Sequence, residues 1–279
     1  MPEQNSRSVL IAGAGALGQA IAQAMPRSNQ INLVRRNAAI SAASSNIHWI
    51  QGDLLDPASF AAAISKPDVV IFSASPDSRT LANYRAIYTD ALGALINAFP
   101  SARFKLCSST AVYPTTRWHA EIPAPEPLDE HGETSPDDFN GEVLLEAEAL
   151  LREGDTALRL GGIYGPGRNY LLKLAQSGQP VVRKPGIFSN RIHLHDAASV
   201  IAKLTELPHA PPIVNLIDHA PCPQFEVLDY LCAQLSLPKL PARAPVDGES
   251  IGKRIVSCYH GQSWYALNYP SYVEGYIAT

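Results

Sequence analysis

Residues 9–18 run Val9, Leu10, Ile11, Ala12, Gly13, Ala14, Gly15, Ala16, Leu17, Gly18, and an Ala-rich stretch from Gln19 to Met25 follows. The apolar run predicts a buried strand at Val9–Ala12, and the Ala-rich stretch predicts a helix at Leu17–Met25. The glycines must therefore form the turn between them. In a strand–G-x-G-x-x-G–helix unit each glycine has a task. Gly13 permits the tight turn, Gly15 lets the backbone approach a ligand, and Gly18 lets the helix pack closely on the strand. The first turn of the helix, with Ala16 and Leu17, presents unpaired N–H groups and the positive end of a dipole to an anion. A dinucleotide pyrophosphate needs this arrangement.

The next strand, Ile31–Val34, ends in Arg35 and Arg36. An NAD site usually has an acid about 20 residues after the glycines, accepting from the ribose 2′-OH. Two guanidiniums stand there instead. They suit a 2′-phosphate, which offers several acceptor oxygens to a bidentate donor. NADP(H) is expected over NAD(H), the alternative being that both arginines are solvated loop charges.

The alternation continues. Strands are expected at His48–Ile50, Val69–Phe72, Phe104–Cys107 and Ala157–Leu160, with helices at Pro57–Ile64, Thr80–Ala98 and Gly141–Arg152. This order implies right-handed βαβ crossovers, hence an α/β fold with a Rossmann-type doubly wound parallel sheet. Residues 1–160 form the expected nucleotide-binding domain. After Gly161 the elements shorten and prolines become frequent. Residues 161–279 are expected to form a smaller substrate lobe interleaved with the sheet. Pro114–Pro136, rich in proline and acids, reads as a surface loop holding His119 and His131 with Glu121, Glu126, Asp129 and Glu130, either a mobile solvated run or a source of acid–base groups. A net charge of −4 leaves no basic footprint for nucleic acid or an anionic membrane. No apolar run reaches membrane-spanning length, and the polar start, Met1–Ser8, has no apolar core of a signal peptide. The four cysteines lack C-x-x-C spacing and read as reduced thiols of a cytoplasmic protein.

Several segments together carry a resemblance. Gly52-Asp53-Leu54 follows the third strand. Ser108 to Tyr113 reads S-S-T-A-V-Y, Arg159 to Arg168 reads R-L-G-G-I-Y-G-P-G-R, Arg191 to Asp196 reads R-I-H-L-H-D, and Tyr269-Pro270-Ser271-Tyr272 precedes Glu274-Gly275. With the glycine turn, these resemble the extended short-chain dehydrogenases/reductases of the epimerase/dehydratase group, in an atypical subgroup, nearly end to end. The commoner extended fingerprint spaces its glycines by three, and Ala12 fills its first place here. The resemblance implies an adenine contact at Asp53 and Leu54, a nicotinamide face at Gly162 and Ile163, and catalytic candidates at Ser109, Tyr113 and Tyr164. Ser73, just past the fourth strand, joins the cofactor set. Arg168 is a candidate for a substrate anion and His193 for support of the pocket floor. The alternation of His193 and His195 could suit a metal, but no third ligand is evident and none is expected. Asp196 reads as the N-cap of a helix Ala197–Leu207. The helix Thr80–Ala98 corresponds to the family's usual dimer surface, so the resemblance implies a homodimer.

One departure bears on chemistry. The family moves a proton with a Tyr and a Lys four residues on. Here Phe139 and Val143 hold those places in one register and Asn140 and Leu144 in the other, and no Lys lies between Lys105 and Lys173. Two readings stand: an NAD(P)-dependent oxidoreductase acting on a small organic substrate without that relay, or a non-catalytic NADP-binding sensor or scaffold.

Overall fold

The apolar runs become strands because both of their faces find cover. A computed structural model describes residues 6–37, 45–64, 66–117, 125–183 and 187–277. In it β1 (Ser8–Ala12), β2 (Gln30–Arg35), β3 (Ile47–Gln51), β4 (Val69–Phe72), β5 (Arg103–Ser109), β6 (Thr156–Leu160) and β7 (Ile213–Leu216) form one parallel sheet. The strand order is β7-β6-β5-β4-β1-β2-β3. Val9, Leu10 and Ile11 are all fully buried, so neither face of β1 meets water. On one face Leu10, Val70, Phe72, Phe104 and Leu106 pack with Phe60, Leu92 and Leu95. Val9 faces Ile31 of β2 on one side and Val69 of β4 on the other. The chain thus runs outward from β1 to β3, then returns to β4 on the opposite flank. That reversal opens a crevice at the carboxyl ends of the strands, where ligands of open α/β sheets bind.

The helices depart from the sequence expectations in ways that have local causes. α1 (Ala16–Ala24) stops because Met25 precedes Pro26 and takes an extended ψ of 150°. α2 (Ala58–Ala61) is shorter than the expected Pro57–Ile64: Ala63 and Ile64 donate to carbonyls three residues back, which tightens the run out of the α-helix. The expected helix Thr80–Ala98 is interrupted. Thr80 caps α3 (Leu81–Arg85) by accepting from the Asn83 amide, a π-helical stretch covers Ala86–Ala91, and α4 (Leu92–Ala98) completes it. α5 (Phe139–Glu148) starts two residues early and ends four residues before Arg152. The Arg152 guanidinium instead folds back onto the carbonyls of Pro100 and Ala102, each at 2.7 Å.

By contacts the chain forms two compact units. One comprises Met1–Ser109, Asp138–Arg159 and Ala198–Val214, and the other Thr110–Asp137, Leu160–Ala197 and Asn215–Thr279. The second unit contains α6 (Tyr170–Gln176), the first four residues of α7 (Leu194–Glu206), α8 (Gln224–Gln234) and α9 (Tyr272–Ile277). Leu171 and Ala175 of α6 bury against Val227, Leu228 and Leu231 of α8. Two expectations are corrected here. Asp196 lies inside α7 and is not its N-cap; its carboxylate accepts from the backbone amides of Asn268 and Tyr269, both at 2.8 Å. The proline-rich segment is not wholly a surface loop. Pro127–Leu128 pairs with Arg254–Ile255, and Glu130 is buried, accepting from Ser257 Oγ at 2.6 Å and the amides of Asn215 and Cys258. His119 and Glu121 lie outside the described residues. His131 is exposed beside Asp129. The four cysteines are free thiols, and among the described residues no helix is long and apolar enough to cross a membrane.

Candidate functional site

A pocket of about 330 Å³ lies at the carboxyl ends of β1 to β4. Its floor is the glycine turn. Gly13 adopts a φ of +105°, and a Cβ there would overlap the Ala74 amide, so neither its conformation nor its space admits a side chain. Ser73 Oγ donates to the Gly13 carbonyl at 2.8 Å and ties the turn to the end of β4. A Cβ on Gly18 would overlap the Gly13 carbonyl, which is the close helix–strand approach the motif provides. Gly15 differs: a Cβ there would meet nothing within 4 Å. The space above it is left open by the protein. Gly15 is the N-cap of α1 and offers no side-chain cap, and the first bond of the helix runs from the Gln19 amide to the Gly15 carbonyl. The amides of Ala16, Leu17 and Gly18 precede that bond and have no partner within the helix.

The walls carry charge. Arg35 ends β2, half-buried, and among the described residues no carboxylate pairs with it. Arg36 is not a lone solvated charge: its Nη2 donates to both carboxylate oxygens of Asp77, at 2.6 and 2.8 Å. That bond raises the arginine further above its ordinary pKa. Asp53 is exposed, with Oδ1 accepting from the Leu55 amide at 3.0 Å, and Leu54 beside it is buried. Of the expected cofactor residues, Gly13, Gly15, Arg35, Arg36, Asp53, Leu54 and Ser73 line this pocket. Ala16, Leu17 and Gly18 form the first turn of α1 without lining it. Asp77 and Ile87 line it too, and sequence reasoning missed both. A scan of the loop after each parallel strand would have found Asp77; Ile87 sits on the π-helical stretch, which leaves no mark in the sequence. An open cradle, amides with no partner within the helix, and a guanidinium with no carboxylate beside it among the described residues fit a nucleotide diphosphate.

A second pocket, of about 170 Å³, belongs to the second unit. Gly162, Ile163 and Tyr164 pair in parallel with Arg191, Ile192 and His193. Gly162 and Ile163 therefore line this pocket, together with Tyr164, Arg168, Arg191 and Tyr276. Tyr164 stacks on Tyr276 at 4.6 Å and donates from its hydroxyl to the Ser271 carbonyl at 3.2 Å. Burial pushes its phenol pKa well above the usual value. Arg168 is exposed, and among the described residues no carboxylate pairs with it. Arg191 is buried; it donates to the carbonyls of Ser189 and Ala220 and stands 3.5 Å from Asp218. Burial outweighs that guanidinium and pushes Asp218 up to about 6.

Three expected site residues, Ser109, Tyr113 and His193, line neither pocket. Tyr113 is fully buried, with its hydroxyl 2.9 Å from Asn215 Oδ1 and 3.0 Å from the Asp129 carbonyl, and it lines neither pocket. Its own carbonyl accepts from Lys253 Nζ, which also donates to Thr110. The surroundings are those of a packing residue. His193 is buried behind Tyr164 and Tyr269 and does not reach the pocket. The expected hydrogen-bonded support is missing: Nδ1 accepts only the His195 amide, at 3.3 Å, and Nε2 has no partner among the described residues. Burial, with His195 adjacent, lowers its pKa to about 4. Among the described residues no group of three or more His, Cys, Asp or Glu could hold a metal.

Ser109 is half-buried at the end of β5. Next to it, Ser108 Oγ donates to Glu148 Oε1 at 2.6 Å, and Glu148 also holds Arg159 at 2.7 Å. Of the residues that the resemblance sets against the dyad, Phe139 packs edge-on against Tyr84, Asn140 accepts from Arg79, and Val143 and Leu144 are buried.

The NAD(P)H-binding family model matches residues 13–206. No curated protein matches the chain. Among solved structures, a protein of Methylobacillus flagellatus provisionally named an NAD-dependent epimerase/dehydratase is 28% identical; the alignment covers 98% of this chain and 97% of that one, with a TM-score of 0.75. A conserved protein of unknown function from Silicibacter pomeroyi is 25% identical over 98% of each chain, TM-score 0.71. The enzyme WbmG of Bordetella bronchiseptica, solved with NAD, shares the fold at 19% identity and TM-score 0.76, over 100% of this chain and 95% of that one.

Proposed function

The chain belongs to the NAD(P)H-binding family, and we propose that it is an NADP(H)-dependent oxidoreductase acting on a small organic substrate with an anionic group. The observation that carries the reading is the open space over Gly15, in a pocket that also holds Arg35, with which no carboxylate pairs among the described residues. When bound, the dinucleotide supplies a nicotinamide ring able to take or give a hydride. Gly13, Gly15 and the first amides of α1 would hold its diphosphate, Asp53 and Leu54 its adenosine, and Arg35 and Arg36 its 2′-phosphate. Gly162 and Ile163 are proposed contacts to the nicotinamide. In the second pocket Arg168 would bind the substrate anion and Tyr164 would bound an apolar wall. Ser109 would orient a substrate oxygen.

No Tyr is followed by Lys four residues later anywhere in the chain. A substrate that arrives protonated, such as an iminium, or one that takes its proton from water, meets that lack. A second reading, a non-catalytic NADP-binding module, is favoured by the filling of the dyad places with Phe139 and buried Val143 and Leu144. The test is NADPH binding followed by NADPH oxidation against a panel of imines, ketones and nucleotide sugars. Turnover of a panel member supports the enzyme; tight binding with no turnover across the panel favours the module.

A further inference from the structure

The Arg36–Asp77 pair has a place in the fold that an ordinary surface ion pair lacks. Arg36 leaves β2 and Asp77 leaves β4, and these strands flank β1. Strands two apart are separated by roughly 10 Å. The pair therefore bridges the loops on either side of the glycine turn, and both residues line the nucleotide pocket. Asp77 is held from both directions. Its loop starts at Ser73, fixed to Gly13, and ends at Thr80, the cap of α3, while Arg79 is bonded to Asp138. Both members are largely exposed, at 60% and 67%, so either can be exchanged without disturbing the core.

We propose that Asp77 sets the cofactor preference by masking Arg36. The pocket holds two guanidiniums, Arg35 and Arg36, and two carboxylates, Asp53 and Asp77. A 2′-phosphate entering it finds Arg35 with no carboxylate paired to it among the described residues and Arg36 already engaged by both carboxylate oxygens of Asp77. To recruit Arg36 it must displace Asp77. A ribose bearing only a 2′-OH gains nothing from that displacement. Asp77 thus penalises the phosphorylated cofactor selectively and narrows the preference for it that Arg35 and Arg36 would otherwise give. The inference rests on the cofactor reading above.

The test is a double-mutant cycle on dissociation constants of NADPH and NADH, read by fluorescence titration of wild type, Asp77→Asn, Arg36→Ala and the double variant. Asp77→Asn is expected to tighten NADPH about fivefold, the fold-change equal to an exposed pair of ~1 kcal/mol, and to change NADH less than about twofold. In the Arg36→Ala background the same substitution is expected to change NADPH less than about twofold. No gain for NADPH, an equal gain for NADH, or an equal gain without Arg36 overturns the masking. The cofactor reading fails by a different result: wild type binds neither dinucleotide, or removing Arg35 and Arg36 together leaves the NADPH-to-NADH ratio unchanged.

Discussion

Two Arg–Glu pairs on one helix allow a direct test of how burial sets the worth of a charge. Glu146 and Glu148 are two residues apart on α5. Glu146 meets Arg85 at 3.1 Å, with the side chains 45% and 53% exposed. Glu148 meets Arg159 at 2.7 Å, with the side chains 9% and 5% exposed. Glu148 also accepts from Arg159 Nε at 3.1 Å and from Ser108 Oγ at 2.6 Å. Glu148→Gln removes the charge but not the volume. Arg159 stays ionised, because a guanidinium does not deprotonate in proteins, and it is left in the interior facing an amide. Its NH₂ group also points a donor where Arg159 and Ser108 donate. Breaking a buried pair in this way costs about 3–5 kcal/mol. Glu146→Gln should cost about 0–1 kcal/mol. Glu and Gln have nearly equal helix propensity, so the two substitutions differ in burial and in the added bonds of Glu148 to Arg159 Nε and Ser108, not in helix formation. With a urea m-value near ~2 kcal/mol/M, the Glu148→Gln midpoint should fall by roughly 1.5–2.5 M and the Glu146→Gln midpoint by less than ~0.5 M. Midpoints that coincide within error would refute the reasoning.

Three further outcomes follow from the same geometry. Arg35→Ala should weaken NADPH binding by about 1–3 kcal/mol and leave NADH nearly unchanged, as competition titrations would show; equal losses for both would remove the 2′-phosphate role. Against a substrate found in the panel, Ser109→Ala should lower turnover more than Phe139→Ala, because Phe139 packs on Tyr84 and holds no proton; the reverse order in steady-state kinetics would contradict the site. Burial holds His193 and His260 at about 4, below the ~6.5 of an unfolded histidine, so their contribution is full above pH ~6.5 and lost as pH falls toward 4. Asp218, held at about 6, opposes them: its contribution is full below pH ~3.9 and lost as pH rises through 6. Two histidines outweigh one carboxyl, so denaturation midpoints should fall between pH 6.5 and 4.5, and His193→Gln should flatten the slope; a midpoint that rises on acidification would contradict this.

The parts of the fold legible in the sequence are those governed by neighbours in the chain. Val9–Ala12 forms a strand and Gly13, Gly15 and Gly18 a turn because burial on both faces and backbone space act over a few residues. The expected bounds of β1 and α1 fall within one residue of those observed. The parts that were not legible depend on distant partners. Asp196, followed by Ala197-Ala198, has the look of a helix cap, yet its carboxylate is claimed by amides 72 and 73 residues away. Glu130 sits among prolines and acids, and only contacts with residues 215, 257 and 258 explain its burial. The π-helical stretch at Ala86–Ala91 keeps the apolar spacing of an α-helix, so its effect on Ile87 has no local signature. Arg36 reads as a free cation until Asp77, 41 residues on, is brought to it by the sheet order.

The central claim is that a dinucleotide occupies the space over Gly15. Its most direct test is fluorescence titration of NADPH into wild type and Gly15→Val, with melting temperatures measured on both. A Cβ at Gly15 meets nothing within 4 Å, so the valine should leave the fold intact and lower the melting temperature only by the small cost of a β-branched residue at the N-cap of α1. Wild type should bind saturably, and the variant should bind at least ~100-fold more weakly, a loss of about 2.7 kcal/mol. A folded Gly15→Val protein that binds NADPH as tightly as wild type would contradict the account.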